Sequence, residues 1–220
     1  MLENNSVFER KGKAHTMSAN AYNLLIGLVL LWGFAFNWYL VSTVPTESLL
    51  SINKWVFFGG YFVSCLIGIF MFTTSTNPIV SFIGYNFIVI PFGLILNVFL
   101  YKINPDIIQA AIQTTALVTV GMIALGTLFP RFFASIASAL FWALLLVIVV
   151  ELVQMFFFKT HSTITDWIVA AIFCGYIGVD WGRANSIERT ADNAIDSAAA
   201  LYMDIINLFI RIVSIMNDKK

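Results

Sequence analysis

The chain has 220 residues, of which 60% are hydrophobic and only 11% charged, with twelve basic and twelve acidic side chains. Soluble domains carry about 25% charged residues, and apolar runs of about 20 residues mark bilayer-spanning helices. A soluble globular protein is therefore excluded, and the balanced charge leaves no basic face for nucleic acid.

Residues 1–20 read as a polar N-terminal tail, with Glu3, Glu9, Arg10, Lys11 and Lys13. The first apolar segment, about Ala21 to Val44, is too long for a signal-peptide core, and no small-residue cleavage site follows it. Pro45 and Glu47 mark a loop. The second segment covers about Lys54 to Thr74, with Lys54 and Trp55 as interfacial anchors. Ser75-Thr76-Asn77-Pro78 turns into the third, about Pro78 to Tyr101. Its internal Pro91-Phe92-Gly93 predicts a kink and a freed backbone carbonyl, tolerable only under cover of a neighbouring helix.

Asn104-Pro105-Asp106 opens the fourth segment, about Ile107 to Phe129, whose Ala, Gly and Thr content suits close helix packing. Pro130-Arg131 ends it, and the fifth runs from about Phe133 to Phe158, carrying Glu151 with Gln154 close behind. Lys159, His161 and Asp166 fall in or beside the next loop, and neither His161 nor His15 has metal-ligand spacing. The sixth segment begins near Thr165 and is expected to continue past Asp180 through Arg183, Asn185, Glu188 and Arg189. A charged turn around Asp192 leads to the seventh, about Ala194 to Met216, and residues 217–220 form a short tail. Residues 21–216 thus read as a single all-α membrane domain of seven transmembrane helices.

Two aspartates stand inside the last two apolar runs. An ionised carboxylate at the bilayer centre costs about 3 kcal/mol on insertion scales, so such residues usually have a task. Asp180 and Asp204 lie twelve residues on either side of Asp192. With unbroken helices each would sit about 18 Å from a turn there, at about 1.5 Å of rise per residue. Antiparallel neighbours would then bring the carboxyls to one depth, close enough to share a proton. Such a pair can serve as a pH sensor, a proton carrier, a cation ligand or an aspartyl protease dyad. Intramembrane aspartyl proteases place Tyr-Asp on one helix and Gly-x-Gly-Asp on the next. Here Gly178-Val179 precedes Asp180 and Tyr202-Met203 precedes Asp204, so no enzyme is expected.

The seventh segment carries Asp196, Ala200, Asp204, Asn207 and Arg211 on one face at helical spacing. Lipid cannot be what this face meets, so the seventh helix is expected at the centre of the bundle. Glu151, a third intramembrane acid with Gln154 at i+3, lines a cation path with Asn207 and Asp196, pairs with a distant arginine, or stays protonated.

Gly175-Tyr176-Ile177-Gly178-Val179-Asp180 together with Leu201-Tyr202-Met203-Asp204-Ile205-Ile206-Asn207-Leu208-Phe209 resembles the C-terminal signature of the Bax inhibitor-1 (transmembrane Bax inhibitor motif) family, most of all its bacterial branch. The resemblance implies two three-helix layers around a central C-terminal helix. It also implies a calcium leak gated by pH, with Asp180 and Asp204 as sensor and as calcium contact. Calcium would be the transported ion, with no tightly bound cofactor, in a bacterial plasma membrane. One departure is visible: relatives carry an arginine in the second helix that pairs with the sixth-helix aspartate, and here Lys54 is the only charge in that segment. A different class of function also fits, a non-conducting regulatory protein binding membrane-protein partners in stress or quality control.

Overall fold

The computed structural model describes residues 16–158 and 162–218, and the expectations for most of the N-terminal tail, His15, Lys159 and His161 lie outside them. The described residues are helical with no strand: α1 (Ala19–Thr43), α2 (Thr46–Leu50), α3 (Lys54–Thr74), α4 (Pro78–Leu100), α5 (Pro105–Leu128), α6 (Pro130–Val153), a π-helical segment (Gln154–Phe158), α7 (Thr163–Ala184) and α8 (Ala191–Asn217). All but α2 and the short π-helical turn are long and apolar enough to cross a membrane, giving seven spans among the described residues, with α6 and its π segment forming one of them. The short α2 occupies the stretch expected as a loop after Pro45.

Local chemistry sets most of the helix starts. Asn53, Asn77 and Asn104 each accept a hydrogen bond at 2.9 Å from the backbone amide two residues on. Proline follows Asn77 and Asn104 at the first helical position, where its missing N–H costs nothing and its fixed φ suits the helix.

The chain divides into two compact units. The first holds α1 to α4 and the chain from Ile187 to Ala199. The second holds α5 to α7 and the chain from Ala200 onward, so α8 contributes to both.

In the first unit α4 packs on α1, α2 and α3. A Cβ added at Gly68 of α3 would meet the Gly84 carbonyl oxygen of α4 at 2.5 Å, and one at Gly84 would meet the Gly68 carbonyl at 2.8 Å. Only glycine on both sides lets these backbones approach so closely, the usual device of helices packed in lipid. Pro91 stands inside α4 and leaves the carbonyl of Phe87 without its helical donor. The hydroxyl of Ser64 on α3 donates to that carbonyl at 2.7 Å, the cover that the sequence required. The start of α8 belongs to this unit. Ser81 donates to the buried carboxylate of Asp192 at 2.7 Å, and Tyr22 donates to the Asn193 carbonyl at 3.2 Å.

In the second unit α7 packs against α5 and α6, and Val147, Val169 and Ile172 form a buried cluster. Two expectations need correction here. The sixth segment does not extend through Glu188 and Arg189; α7 ends at Ala184. Asn185 donates to the Trp181 carbonyl at 3.1 Å and Ser186 to the Arg183 carbonyl at 2.8 Å. These side chains satisfy the last carbonyls and compete with a further helical turn. Nor does the turn lie at Asp192. Thr190 accepts from the Asn193 amide at 3.1 Å, as an N-cap residue does, so Asp192 falls in the first turn of α8.

Candidate functional site

The second unit brings Asp180 and Asp204 together. Their carboxyl groups lie close enough to interact electrostatically, and two carboxyls at one enclosed site cannot both ionise cheaply. The route differs from the symmetric hairpin that unbroken helices suggested. Asp180 is one turn from the end of α7, while Asp204 is thirteen residues into α8, about 20 Å along its axis. The six residues from Asn185 to Thr190, not a tight turn, make up the difference.

Packing fixes the α7 side of the pair. A Cβ at Gly126 of α5 would lie 2.8 Å from the Gly178 carbonyl oxygen, and a Cβ at Gly178 would overlap the ring of Phe133 on α6. Two residues before Asp180, then, the α7 backbone is held between α5 and a buried aromatic ring. Trp181 adds a polar tie, donating from Nε1 to Thr127 Oγ1 at 2.8 Å.

An arginine does stand beside the pair, on α7 itself: Arg183. Its Nη2 lies 3.1 Å from Asp180 Oδ1, one turn along the same helix. Asp204 is 7% exposed. Its Oδ2 is buried and finds no hydrogen-bond partner among the described residues. An orphan carboxyl oxygen of this kind costs more than a satisfied one.

The remaining predicted residues separate. Asn207 spends its amide on the Met203 carbonyl at 2.7 Å, within its own helix. Asp196 is buried in the first unit rather than beside Asp204. Glu151 resolves toward the arginine pair: Arg211 Nη1 reaches its Oε1 at 2.7 Å and Nη2 its Oε2 at 2.9 Å. The same Nη1 meets Asp166 Oδ1 at 2.7 Å, and Ser214 donates to Asp166 Oδ2 at 2.8 Å. Asp166, expected in or beside a loop, stands in the first turn of α7 with its side chain wholly buried. Sequence reasoning assigned no role to Asp166 or Arg211. The available signal was Arg211 itself, seven residues after Asp204 on the same polar face of an apolar helix. Among the described residues, no three histidine, cysteine or acidic side chains are grouped to hold a metal ion. A cation at the aspartate pair would complete its shell with water or backbone oxygens.

Comparison with known proteins bears on this arrangement. The family model described as "Inhibitor of apoptosis-promoting Bax1" matches residues 14–220. The chain belongs to this family. Within it, the chain is 37% identical over 89 residues to a BI1-like protein of Arabidopsis thaliana, covering 39% of this chain and 34% of that one. It is 32% identical over 127 residues to an uncharacterized membrane protein of Vibrio cholerae, covering 56% of each. It is also 30% identical over 111 residues to Protein lifeguard 4 of Mus musculus, covering 50% of this chain and 46% of that one. These alignments span about a third to a half of the relatives' length. Seven apolar helices and membership of the Bax inhibitor family make the protein an integral, multi-pass membrane protein.

Proposed function

We propose that this Bax inhibitor family protein is a pH-sensitive cation leak pathway, with calcium as its ion, in a bacterial plasma membrane. The observation that supports the reading is the close approach of the Asp180 and Asp204 carboxyls, on α7 and α8, near enough to share a proton. While one proton is shared, the carboxyls hold the two helices together. When both ionise, the bond is lost and two like charges face each other. Unit charges about 4 Å apart repel by about 4 kcal/mol at an effective dielectric constant of about 20. Arg183, 3.1 Å from Asp180, offsets part of that repulsion. Loosening α8 from α7 then opens a path that the shared proton keeps shut.

The test is calcium entry into dye-loaded proteoliposomes across the neutral pH range. Wild-type flux should change with pH, and flux through Asp204→Asn and the Asp180→Asn/Asp204→Asn double variant should not. An unchanged pH response in the double variant would remove the sensor.

One observation favours a second reading, a non-conducting regulator that binds membrane-protein partners. Two polar groups of the second unit expected to line a path are engaged, Glu151 by Arg211 and Asn207 by Met203. Absence of flux at any pH from folded, inserted protein, with a partner recovered by crosslinking, would select it.

A further inference from the structure

In the first unit α1 and α3 each pack on α4, and among the described residues they make no comparable contact with each other. A groove of about 560 Å³ is left between them. Trp32 of α1 forms one wall and Ser64 of α3 the other, and Phe82, Ile83, Phe87 and Ile90 of α4 form the floor. The groove is open, since Trp32, Ile83, Phe87 and Ile90 are each 39–45% exposed. It also lies deep, because Trp32 and Ser64 stand near the middle of their helices. The floor runs from the first turns of α4 to its middle. From Phe82 to Ile90 that is about 12 Å of helix, within the roughly 15 Å of hydrocarbon in one leaflet.

Membrane tryptophans favour the interface, where the ring N–H stays wet. Trp32 is instead fixed at depth by its neighbours. Its Nε1 donates to Asn86 Oδ1 at 3.1 Å, and Asn86 in turn donates to the Phe82 carbonyl at 2.8 Å. The ring is braced by Phe36, stacked at 5.6 Å, and by Phe82 at 6.0 Å. On the other wall Ser64 donates to the Phe87 carbonyl at 2.7 Å. The polar side chains of the groove are thus engaged within the protein, and what the groove presents is aromatic and aliphatic surface. Water needs two to four polar partners, and here it finds them taken. A further helix does not suit the lining either. Helices in lipid meet over small residues, whereas this surface is mostly Trp, Phe and Ile. Left unfilled, such a surface would forfeit contacts along its whole length. At this depth of a bilayer the filler at hand is a lipid hydrocarbon chain.

We propose that the groove between α1 and α3 binds one acyl chain of a bilayer phospholipid, laid along α4 from Phe82 toward Ile90. Shape and contact with the Trp32 ring select the chain, and the headgroup plays no part. The chain also shields the bond from Ser64 to the carbonyl that Pro91 frees, so it acts as a structural ligand of α3 and α4. The proposal stands whether or not the protein conducts.

The experiment keeps one of the six tryptophans at a time and changes the others to phenylalanine. Trp32-only and Trp142-only proteins in detergent micelles are titrated with phosphatidylcholine brominated in mid-chain, which quenches indole fluorescence on contact. Trp142, 65% exposed and near the middle of α6, reports ordinary lipid contact. Trp32 should reach half-quenching at a lipid content about threefold or more lower, the preference that a handful of extra van der Waals contacts confers. Brominated phosphatidylglycerol should give the same ratio. Filling the groove with Ile83→Phe/Ile90→Phe should remove the difference between the two tryptophans. Equal half-quenching points for Trp32 and Trp142 would show ordinary lipid contact and overturn the proposal. So would a ratio that changes with the headgroup, or one that survives the filled groove. Trp32 left unquenched, with copies of the chain crosslinked across that face, would assign the groove to a second copy instead. If the Trp32-only protein does not fold, the unaltered chain decides. Added phosphatidylcholine should raise its Tm in micelles by more than it raises that of Ile83→Phe/Ile90→Phe, and equal gains overturn the proposal.

Discussion

Gly178→Ala tests whether packing around α7 sets the aspartate pair. The added methyl would overlap the ring of Phe133, which is 5% exposed and cannot swing into open space. The α7 backbone cannot retreat freely either. On its other side Gly126 approaches the Gly178 carbonyl, where even a Cβ would sit at 2.8 Å, well inside the 3.4 Å at which ordinary contact begins. Overpacking of this kind costs about 1–3 kcal/mol, and in a chain of this size each kcal/mol moves Tm by about 2–4 °C. Gly178→Ala should therefore lower Tm by about 2–12 °C in detergent micelles. Phe133→Ala alone should cost about 3–5 kcal/mol through the cavity it leaves. The double variant should cost less than the two together, because the methyl occupies part of that cavity, with a coupling of about 0.5–3 kcal/mol. Additive losses, or a Gly178→Ala protein as stable as wild type, would show that the ring and the glycine do not press on each other. Asp180 would then owe its position to something other than this packing.

Much of this architecture was legible in the chain, because the deciding features are local. Asparagine caps and the prolines at 78 and 105 announce helix starts within two residues. Apolar length alone announces the spans. Pro91 even announced a missing donor, although only the fold could say that Ser64 supplies it. The end of α7 was not legible. Arg183, Asn185, Glu188 and Arg189 read as a polar helical extension, and the stop comes from side-chain bonds of Asn185 and Ser186 back to the helix, with no glycine or proline to flag it.

The site divides in the same way. Asp180 and Asp204 were visible because acids inside apolar helices are rare, whereas Arg183 read only as part of a polar extension. The meeting of the two carboxyls was expected from a symmetric turn at Asp192 that does not exist. It happens because α7 stops early and a six-residue connection precedes α8. Asp166 was lost among Thr163, Ile164 and Thr165, which look like a loop edge. What makes it a buried acid is Arg211, 45 residues away, and no local pattern encodes a pairing at that distance.

Two further predictions concern the first unit. Glu47 lies outside the spans, and its carboxyl is held below the usual carboxylate range, first by its own backbone amide and then by the Tyr101 hydroxyl, which donates to Oε1 at 3.0 Å. A lowered folded pKa contributes stability above the unfolded pKa and loses it as pH falls through the folded value. Glu47 is fully exposed, so Tyr101→Phe should shift its carboxyl titration upward in carbon NMR, only part of the way, with Tm unmoved. No upward shift would mean the hydroxyl does not reach the carboxylate. Asn97→Ala should do the opposite, changing stability without changing any titration. Asn97 is 2% exposed and closes the end of α1, donating to the Val44 carbonyl at 2.9 Å and the Leu40 carbonyl at 3.2 Å while accepting from Thr46 Oγ1 at 2.6 Å. Removing the amide takes the side-chain donor from the Val44 carbonyl at a helix end, while Leu40 keeps the Val44 amide, at about 1–3 kcal/mol, or about 2–12 °C of Tm at the same conversion. Asn97→Asp keeps the acceptor for Thr46 but turns the donor into a second oxygen facing those carbonyls. It should therefore be worse than alanine, and an aspartate variant as stable as wild type would show that the carbonyls of α1 are not held by Asn97.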